Sequence, residues 1–317
     1  MKRLKVFSWI LFIGLAIVIA LNRQVIIDFS RGLLYKPTPE MEQIRTDLDL
    51  TSHGEIIFNA SHPELNTKDD FNEKCRDDET AAILGCYREQ NIYVYNITDE
   101  KLDGILELTT AHELLHAVYE RMSISEKDDL KELLENVYVE NKVILEKEVG
   151  SYETVEQLEE IYVRVGTEVK ELPDALEKHY ATIFVDQDKI VDYYNKYIKI
   201  FREIEDEFKK IEYEMTELDT QIDTKTDDYE KELSVLNAEI EEFNNCAETP
   251  GCFNSDYEFS VRRGELVERQ TVLQALYDEL DRLINQYNLD VDKFNDNVIR
   301  SEDLQNIINS YERVKDL

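Results

Sequence analysis

A repeat of apolar positions runs through the C-terminal part of the chain. From residue 186 the apolar side chains alternate at spacings of four and three: Ile190, Tyr194, Tyr197, Phe201, Ile204, Phe208, Ile211, Met215, Leu218 and Ile222. The repeat resumes at Tyr229, and a second apolar stretch begins at Leu266. Heptads of this length predict helices that pair along apolar seams. Residues 186–317 are therefore predicted to form an antiparallel coiled-coil hairpin with a tip loop at 246–252, the alternative being two heptad helices in a compact bundle.

Shorter patterns precede this repeat and mix strands with helices. Alternating or continuous apolar residues predict strands at 55–60, 81–87 and 91–97, the last two joined by a turn at 88–90. Helices are predicted at 40–48, from Ser123 to about residue 148, from Thr154 with an interruption at Gly166, and from Pro173. The expected fold class is α+β, with a short antiparallel sheet plus helices over 40–185.

A chemical motif stands directly after the predicted sheet. His112-Glu113-Leu114-Leu115-His116 is an HExxH sequence within a stretch that has helical apolar spacing. Two histidines four residues apart on a helix project from one face, where both imidazoles can bind one Zn²⁺. The intervening Glu113 can then act as a general base toward water. We therefore predict a zinc site with His112 and His116 as ligands and Glu113 as the catalytic residue.

The third zinc ligand must come from elsewhere in the chain. A catalytic zinc usually has three protein ligands and leaves its fourth position open. No histidine follows His116 until His179, so a carboxylate on a later helix and His179 both remain candidates.

The stretch Glu159-Glu160-Ile-Tyr-Val-Arg-Val-Gly166-Thr167 resembles the ligand helix of the gluzincins, the zinc peptidases of the thermolysin type. That resemblance implies Glu160 as the third ligand, with Glu168 as the fallback and Glu159 and Glu171 as further candidates. In this chain Glu159 stands at the family's Asn position and Val163 at its Ser position. No aspartate stands near Glu160 to orient a histidine.

The resemblance also implies a fold and a catalytic donor. The strands before HExxH and the sequence up to about residue 185 are similar to uncharacterised membrane-anchored bacterial zincins, which implies a zincin-like metallopeptidase domain at 40–185. In such domains the last strand before the motif helix, here 91–97, forms the rim of the cleft, where an extended peptide can add as a strand. Gluzincins use His and Tyr to stabilise the developing oxyanion, which implies Tyr180, beside His179, as a second catalytic residue.

Composition bears on the partners and the compartment. With 36 basic and 70 acidic residues the formal charge is −34, so nucleic acid is excluded as a partner. Residues 1–5 are basic and residues 6–22 are almost entirely apolar, which predicts an uncleaved signal anchor with a cytoplasmic tail, followed by a tether at 23–39. A cleaved signal peptide is the alternative.

The four cysteines fall into two local pairs, and we predict the disulfides Cys75–Cys86 and Cys246–Cys252, as expected outside the cytoplasm. The combined prediction is a membrane-anchored extracytoplasmic zinc metallopeptidase that acts on a peptide or protein substrate. The coiled coil could space the catalytic domain, form homo-oligomers or bind a partner protein. The alternative is an inactive zincin-like surface protein whose coiled coil serves binding or scaffolding.

Overall fold

The computed structural model describes residues 22–75, 83–149 and 154–309. These described residues are mostly helical and contain one small sheet, which is an α+β arrangement. It divides into two compact units, with the division after Ile200 and again after Asp303. The first unit thus extends beyond residue 185, where we predicted the domain to end, and buries Ile190 and Val191 of the following helix.

The elements occur in the following order along the described residues: α1 (Arg23–Gly32), α2 (Pro39–Asp47), α3 (Ser52–Ala60), β1 (Glu64–Asn66), α4 (Lys68–Lys74), β2 (Gly85–Arg88), β3 (Asn91–Tyr95), a 3-10 turn (Glu100–Leu102), α5 (Ile105–Arg121), α6 (Ile124–Glu140), α7 (Lys142–Val149), α8 (Thr154–Glu168), α9 (Asp174–Tyr180), α10 (Gln187–Glu248) and α11 (Asp256–Ile308).

The sheet is mixed rather than purely antiparallel. Its strand order is β1-β3-β2, with β1 parallel and β2 antiparallel to β3. The predicted hairpin of β2 and β3 is present, and its two-residue turn places Glu89 and Gln90 at positive φ, the geometry of a type I′ turn. Because β3 lies in the centre, β2 is an edge of the described sheet. The prediction that residues 91–97 form the rim of a cleft is therefore wrong.

The predicted strand at 55–60 is also wrong, because this segment is the helix α3. The Thr51 side chain accepts a hydrogen bond from the Gly54 N–H at 3.1 Å and caps the helix. Ile57 and Phe58 are buried while Ile56 is partly exposed, which is a helical rather than an alternating pattern. Capping and burial outweigh the strand preference of two adjacent isoleucines.

Close helix packing explains why α8 continues through Gly166 instead of being interrupted there, as we predicted. A Cβ atom at Gly166 would lie 2.6 Å from Leu115 of α5 and 2.5 Å from Tyr180 of α9. The glycine therefore lets three helices approach one another. The helix predicted from Ser123 to about residue 148 is instead two helices, α6 and α7, separated at Asn141. Its predicted start is confirmed, because Ser123 forms a capping box with Glu126.

The second unit contains the long parts of α10 and α11, which pack antiparallel. Phe208 contacts Phe294 near one end, Tyr229 contacts Tyr277 in the middle, and Phe243 contacts Phe259 near the turn. Salt bridges join the same two helices, among them Lys225–Glu279 at 3.2 Å and Arg269–Glu232 at 3.0 Å. These contacts make the unit a helical hairpin.

Both predicted disulfides, Cys75–Cys86 and Cys246–Cys252, are present and account for all four cysteines. The predicted anchor falls almost entirely within residues 1–21, which lie outside the described residues. Among the residues that are described, none of the helices has both the length and the apolar composition needed to cross a membrane.

Candidate metal centre

Two packed helices of the first unit bring three candidate ligands together. α5 carries His112 and His116 one turn apart, with ring centroids 5.1 Å from each other. α8 packs against α5 and directs Glu160 at both rings, with 3.8 Å between His112 Nε2 and Glu160 Oε1 and 3.6 Å between His116 Nε2 and Glu160 Oε2. Glu160 is buried, at 3% exposure. Of the alternatives for the third ligand, the structure places Glu160 beside the two histidines.

The spacing of these atoms is close to that of a zinc site. One atom from each of the three residues can be chosen so that all three lie within 4.8 Å of one another. Atoms that bind a tetrahedral zinc at about 2.0–2.1 Å lie about 3.3 Å apart. The distances of 3.8 Å from His112 to Oε1 and 3.6 Å from His116 to Oε2 are slightly longer than this value and end on different oxygens of Glu160. Two imidazoles and one carboxylate are also a known donor set for catalytic zinc.

Glu159 forms a hydrogen bond that orients His116, a contact that was not predicted from the sequence. Its Oε1 lies 2.8 Å from His116 Nδ1. With the proton on Nδ1, His116 donates to Glu159 and keeps a lone pair on Nε2, the atom that faces Glu160. Burial would lower the pKa of His116, but the Glu159 hydrogen bond and the nearby carboxylates raise the pKa above its ordinary value. For His112, burial, His116 and the Arg164 guanidinium all lower the pKa, which favours a neutral imidazole.

Arg164 links both leading carboxylate candidates on α8. Its Nε donates to Glu160 Oε1 at 2.5 Å, and its Nη1 donates to Glu168 Oε1 at 2.7 Å. The spacing of four residues between successive members places all three on one side of the helix. Glu168 is thus held beside the arginine and is not part of the three-residue cluster. Because Arg164 takes Oε1 of Glu160, Oε2 is the oxygen left toward His116.

Glu113 is buried at 5% exposure, against the edge strand β2. Burial raises the pKa of Glu113 to about 7, with the Glu160 charge acting in the same direction. The His116 charge and a hydrogen bond donated by the backbone N–H of Tyr87 oppose that rise in pKa. A carboxyl group with a pKa near neutrality can both accept and release a proton at physiological pH.

Gly85 makes this position of Glu113 possible. A Cβ atom on Gly85 would lie 2.7 Å from both Cγ and Oε1 of Glu113, and 2.6 Å from Cγ2 of Thr109. Only a glycine lets β2 approach α5 this closely. The carboxyl group therefore lies in a narrow space between the strand and the helix.

Tyr180 is not placed at the centre, contrary to our prediction. Its side chain is fully buried and packs against Tyr162 and Gly166 in the core. Its hydroxyl donates to the Tyr162 backbone carbonyl at 2.6 Å. His179 in turn is 2.9 Å from the Tyr162 hydroxyl through its Nε2. Tyr180 and His179 are therefore part of an aromatic core, because the Tyr180 hydroxyl donates to a carbonyl group away from His112 and His116.

A second buried ion pair holds the C-terminal end of the motif helix. Arg121, five residues after His116, donates to both carboxylate oxygens of Asp28 in α1 at 3.0–3.2 Å. It also donates to the Tyr87 hydroxyl at 3.0 Å. The same network therefore fixes α5 against α1 and against the strand that contacts Glu113.

Sequence reasoning missed the roles of Gly85, Tyr87, Arg164 and the Asp28–Arg121 pair. For Arg164 a signal was present, because its spacing of four residues from Glu160 and from Glu168 is that of helical ion pairs. For the others no local signal exists, since their partners are distant in the chain. No protein-family model matches the chain, and no curated protein or solved structure is significantly similar to it.

Proposed function

We propose that this chain is a zinc-dependent metallopeptidase in which His112, His116 and Glu160 hold the metal and Glu113 handles the proton. The observation that carries the proposal is the convergence of these ligand atoms beside a buried carboxyl group whose pKa is raised to about 7. Its relation to the gluzincins rests on sequence resemblance alone.

Each residue of the centre would have a separate role in peptide hydrolysis. A bound Zn²⁺ supplies a Lewis acid that polarises a carbonyl group and lowers the pKa of water. Glu113 would accept a proton from the attacking water and deliver it to the leaving amine. Glu159 would hold His116 in the tautomer that presents Nε2. Arg164 would hold the Glu160 carboxylate by one oxygen and direct the other to the metal.

The edge strand β2 is the candidate platform for a peptide. The Tyr95 N–H donates to the Leu84 carbonyl, so by the alternation of antiparallel pairs the backbone groups of Gly85 and Tyr87 face away from β3. One of them, the N–H of Tyr87, reaches Glu113. An extended peptide that paired along this edge would lie next to the proposed base.

Extracytoplasmic placement by an N-terminal anchor is part of the same proposal. It is supported by the basic and apolar composition of residues 1–22 and by the two disulfides, which persist in oxidising compartments.

One observation favours the alternative of an inactive surface protein. The Arg164 guanidinium already neutralises Glu160 by direct contact. A site that is electrostatically satisfied in this way could persist without metal, and the helical hairpin of the second unit would then be the functional part.

Metal analysis of the purified full chain separates these two functions. We expect about one zinc per chain, lost in Glu160→Gln and retained in the matched control Glu168→Gln, which also loses a contact with Arg164. Glu113→Gln should retain zinc and abolish cleavage of a peptide library. A wild-type chain that binds no zinc at saturating metal would refute the metallopeptidase and favour the alternative.

A further inference from the structure

The helix α1 has its polar side toward the protein and its apolar side outward. Toward the protein, Asp28 is 4% exposed and forms the ion pair with Arg121. Arg31 donates to the backbone carbonyls of Ala60 at 2.7 Å and Gln90 at 3.0 Å. A helix on the surface of a water-soluble protein normally has the opposite arrangement, with its apolar stripe toward the core.

The outward side of the same segment carries five large apolar side chains. They are Val25, Ile26, Phe29, Leu33 and Leu34, exposed by 59%, 49%, 59%, 70% and 77%. Val25, Phe29 and Leu33 follow one another at spacings of four residues, so they form a continuous row along one face of α1 and the turn after it. Single exposed apolar residues need no explanation, but a contiguous patch indicates an apolar partner.

The sequence around α1 indicates which partner this is. The apolar stretch at 6–21 ends immediately before Asn22, and α1 begins at Arg23. If that stretch crosses a bilayer, α1 starts at the bilayer surface, and its ten residues extend only about 15 Å. Every residue of α1 would then lie within about 15 Å of the bilayer surface.

The charged residues around α1 also favour a lipid surface as the partner. Residues 22–36 contain three basic residues, Arg23, Arg31 and Lys36, against the single acid Asp28, which is paired with Arg121. The chain as a whole carries −34. Arg31 is turned toward the protein, so Arg23 and Lys36 are the exposed basic side chains that can contact lipid phosphate groups.

We propose that α1 lies in the membrane interface, with its apolar side inserted among the lipids of the outer leaflet. The proposal rests on residues 6–22 being an uncleaved anchor and is independent of zinc binding. The Asp28–Arg121 ion pair then connects the membrane surface to α5, the helix that carries HExxH. The first unit is thereby held close to the bilayer in one orientation.

The test places an environment-sensitive fluorophore on α1 in the full chain, reconstituted in phosphatidylcholine nanodiscs at one chain per disc. Phe29→Cys and Leu33→Cys provide the attachment sites, because all native cysteines are in disulfides. Val143→Cys is the matched control, since Val143 is also apolar and is 99% exposed in the same unit. Lipids that carry a nitroxide near the headgroup act as the quencher.

We expect the labels on α1 to emit at shorter wavelength than the label at position 143, and to be quenched by the nitroxide lipids at least about twofold more strongly. Equal quenching at the three positions would overturn the proposal. A short-wavelength emission without lipid quenching would also overturn it and would identify a protein surface as the partner. Loss of the chain from the discs through cleavage before residue 22 would overturn it as well.

Discussion

Breaking the buried Asp28–Arg121 ion pair should destabilise the first unit strongly. The two side chains are 6% and 7% exposed, and three hydrogen bonds join them. Asp28→Asn would leave the guanidinium buried with the Tyr87 hydroxyl and the Ala117 carbonyl as its remaining partners. Removing one partner of a buried pair costs about 3–5 kcal/mol. We expect a similar cost for Arg121→Met, which leaves the Asp28 carboxylate with the Gln24 amide.

The double variant distinguishes a true pair from two independent effects. Because the double variant removes both charges, it leaves no unpaired buried ion, so its cost should be below the sum of the two single costs by about 2–3 kcal/mol. Hydrogen exchange of peptides from α5 is the suitable measurement, because the long helices of the second unit dominate spectroscopic signals. A loss of about 3–5 kcal/mol corresponds to about 10²–10⁴-fold faster exchange of the best-protected amides.

An exposed ion pair in the same unit serves as the control. Lys196 lies 2.5 Å from Asp103, with both side chains more than half exposed. Lys196→Met should leave the exchange of α5 unchanged, because exposed pairs contribute little. If Asp28→Asn exchanged like the wild type, or if the double variant cost the full sum of the two single variants, the reasoning about this pair would be refuted.

Three further substitutions test the packing and the chemistry of the centre. Gly85→Ala forces contacts below 3 Å on Glu113 and should reduce peptide cleavage about 10²-fold, without loss of bound zinc; unchanged cleavage would exclude this steric role. Glu159→Gln removes the carboxylate that orients His116 and should weaken zinc binding about 10–100-fold in a chelator competition assay, and an unaltered affinity would contradict it. Gly166→Ala should lower the free energy of unfolding of the first unit, measured by denaturant titration, by about 1–3 kcal/mol through overpacking, whereas Gly264→Ala, with open space around it, should cause no such loss in the second unit.

The sequence was informative where the interacting residues are neighbours along the chain. The spacing of four residues in HExxH places both histidines on one face of α5 whatever surrounds the helix. The capping box at Ser123, the hairpin of β2 and β3, and the two disulfides with short separations depend likewise on local geometry. Apolar periodicity predicted the long helices α10 and α11, since a heptad pattern fixes the seam along which they pack.

The tertiary structure decided every question that depends on how helices approach one another. Sequence resemblance favoured Glu160 over Glu168 and Glu159 as the third ligand. The contact between α5 and α8 then directs Glu160 to the histidines, Glu159 to the back of His116 and Glu168 to Arg164. Tyr180 belongs to the core for the same reason, because α9 packs it over Gly166.

The two faces of α1 show the limit of sequence patterns most directly. We predicted residues 23–39 to be a tether, but Arg23–Gly32 is the helix α1, and the ordinary rule would turn the apolar side of such a helix inward. Contacts with distant residues fix the orientation, because Arg121 on α5 pairs with Asp28 and the carbonyls of Ala60 and Gln90 accept from Arg31. Local spacing thus determines which side chains share a face, whereas the partners that satisfy buried charges determine where that face points.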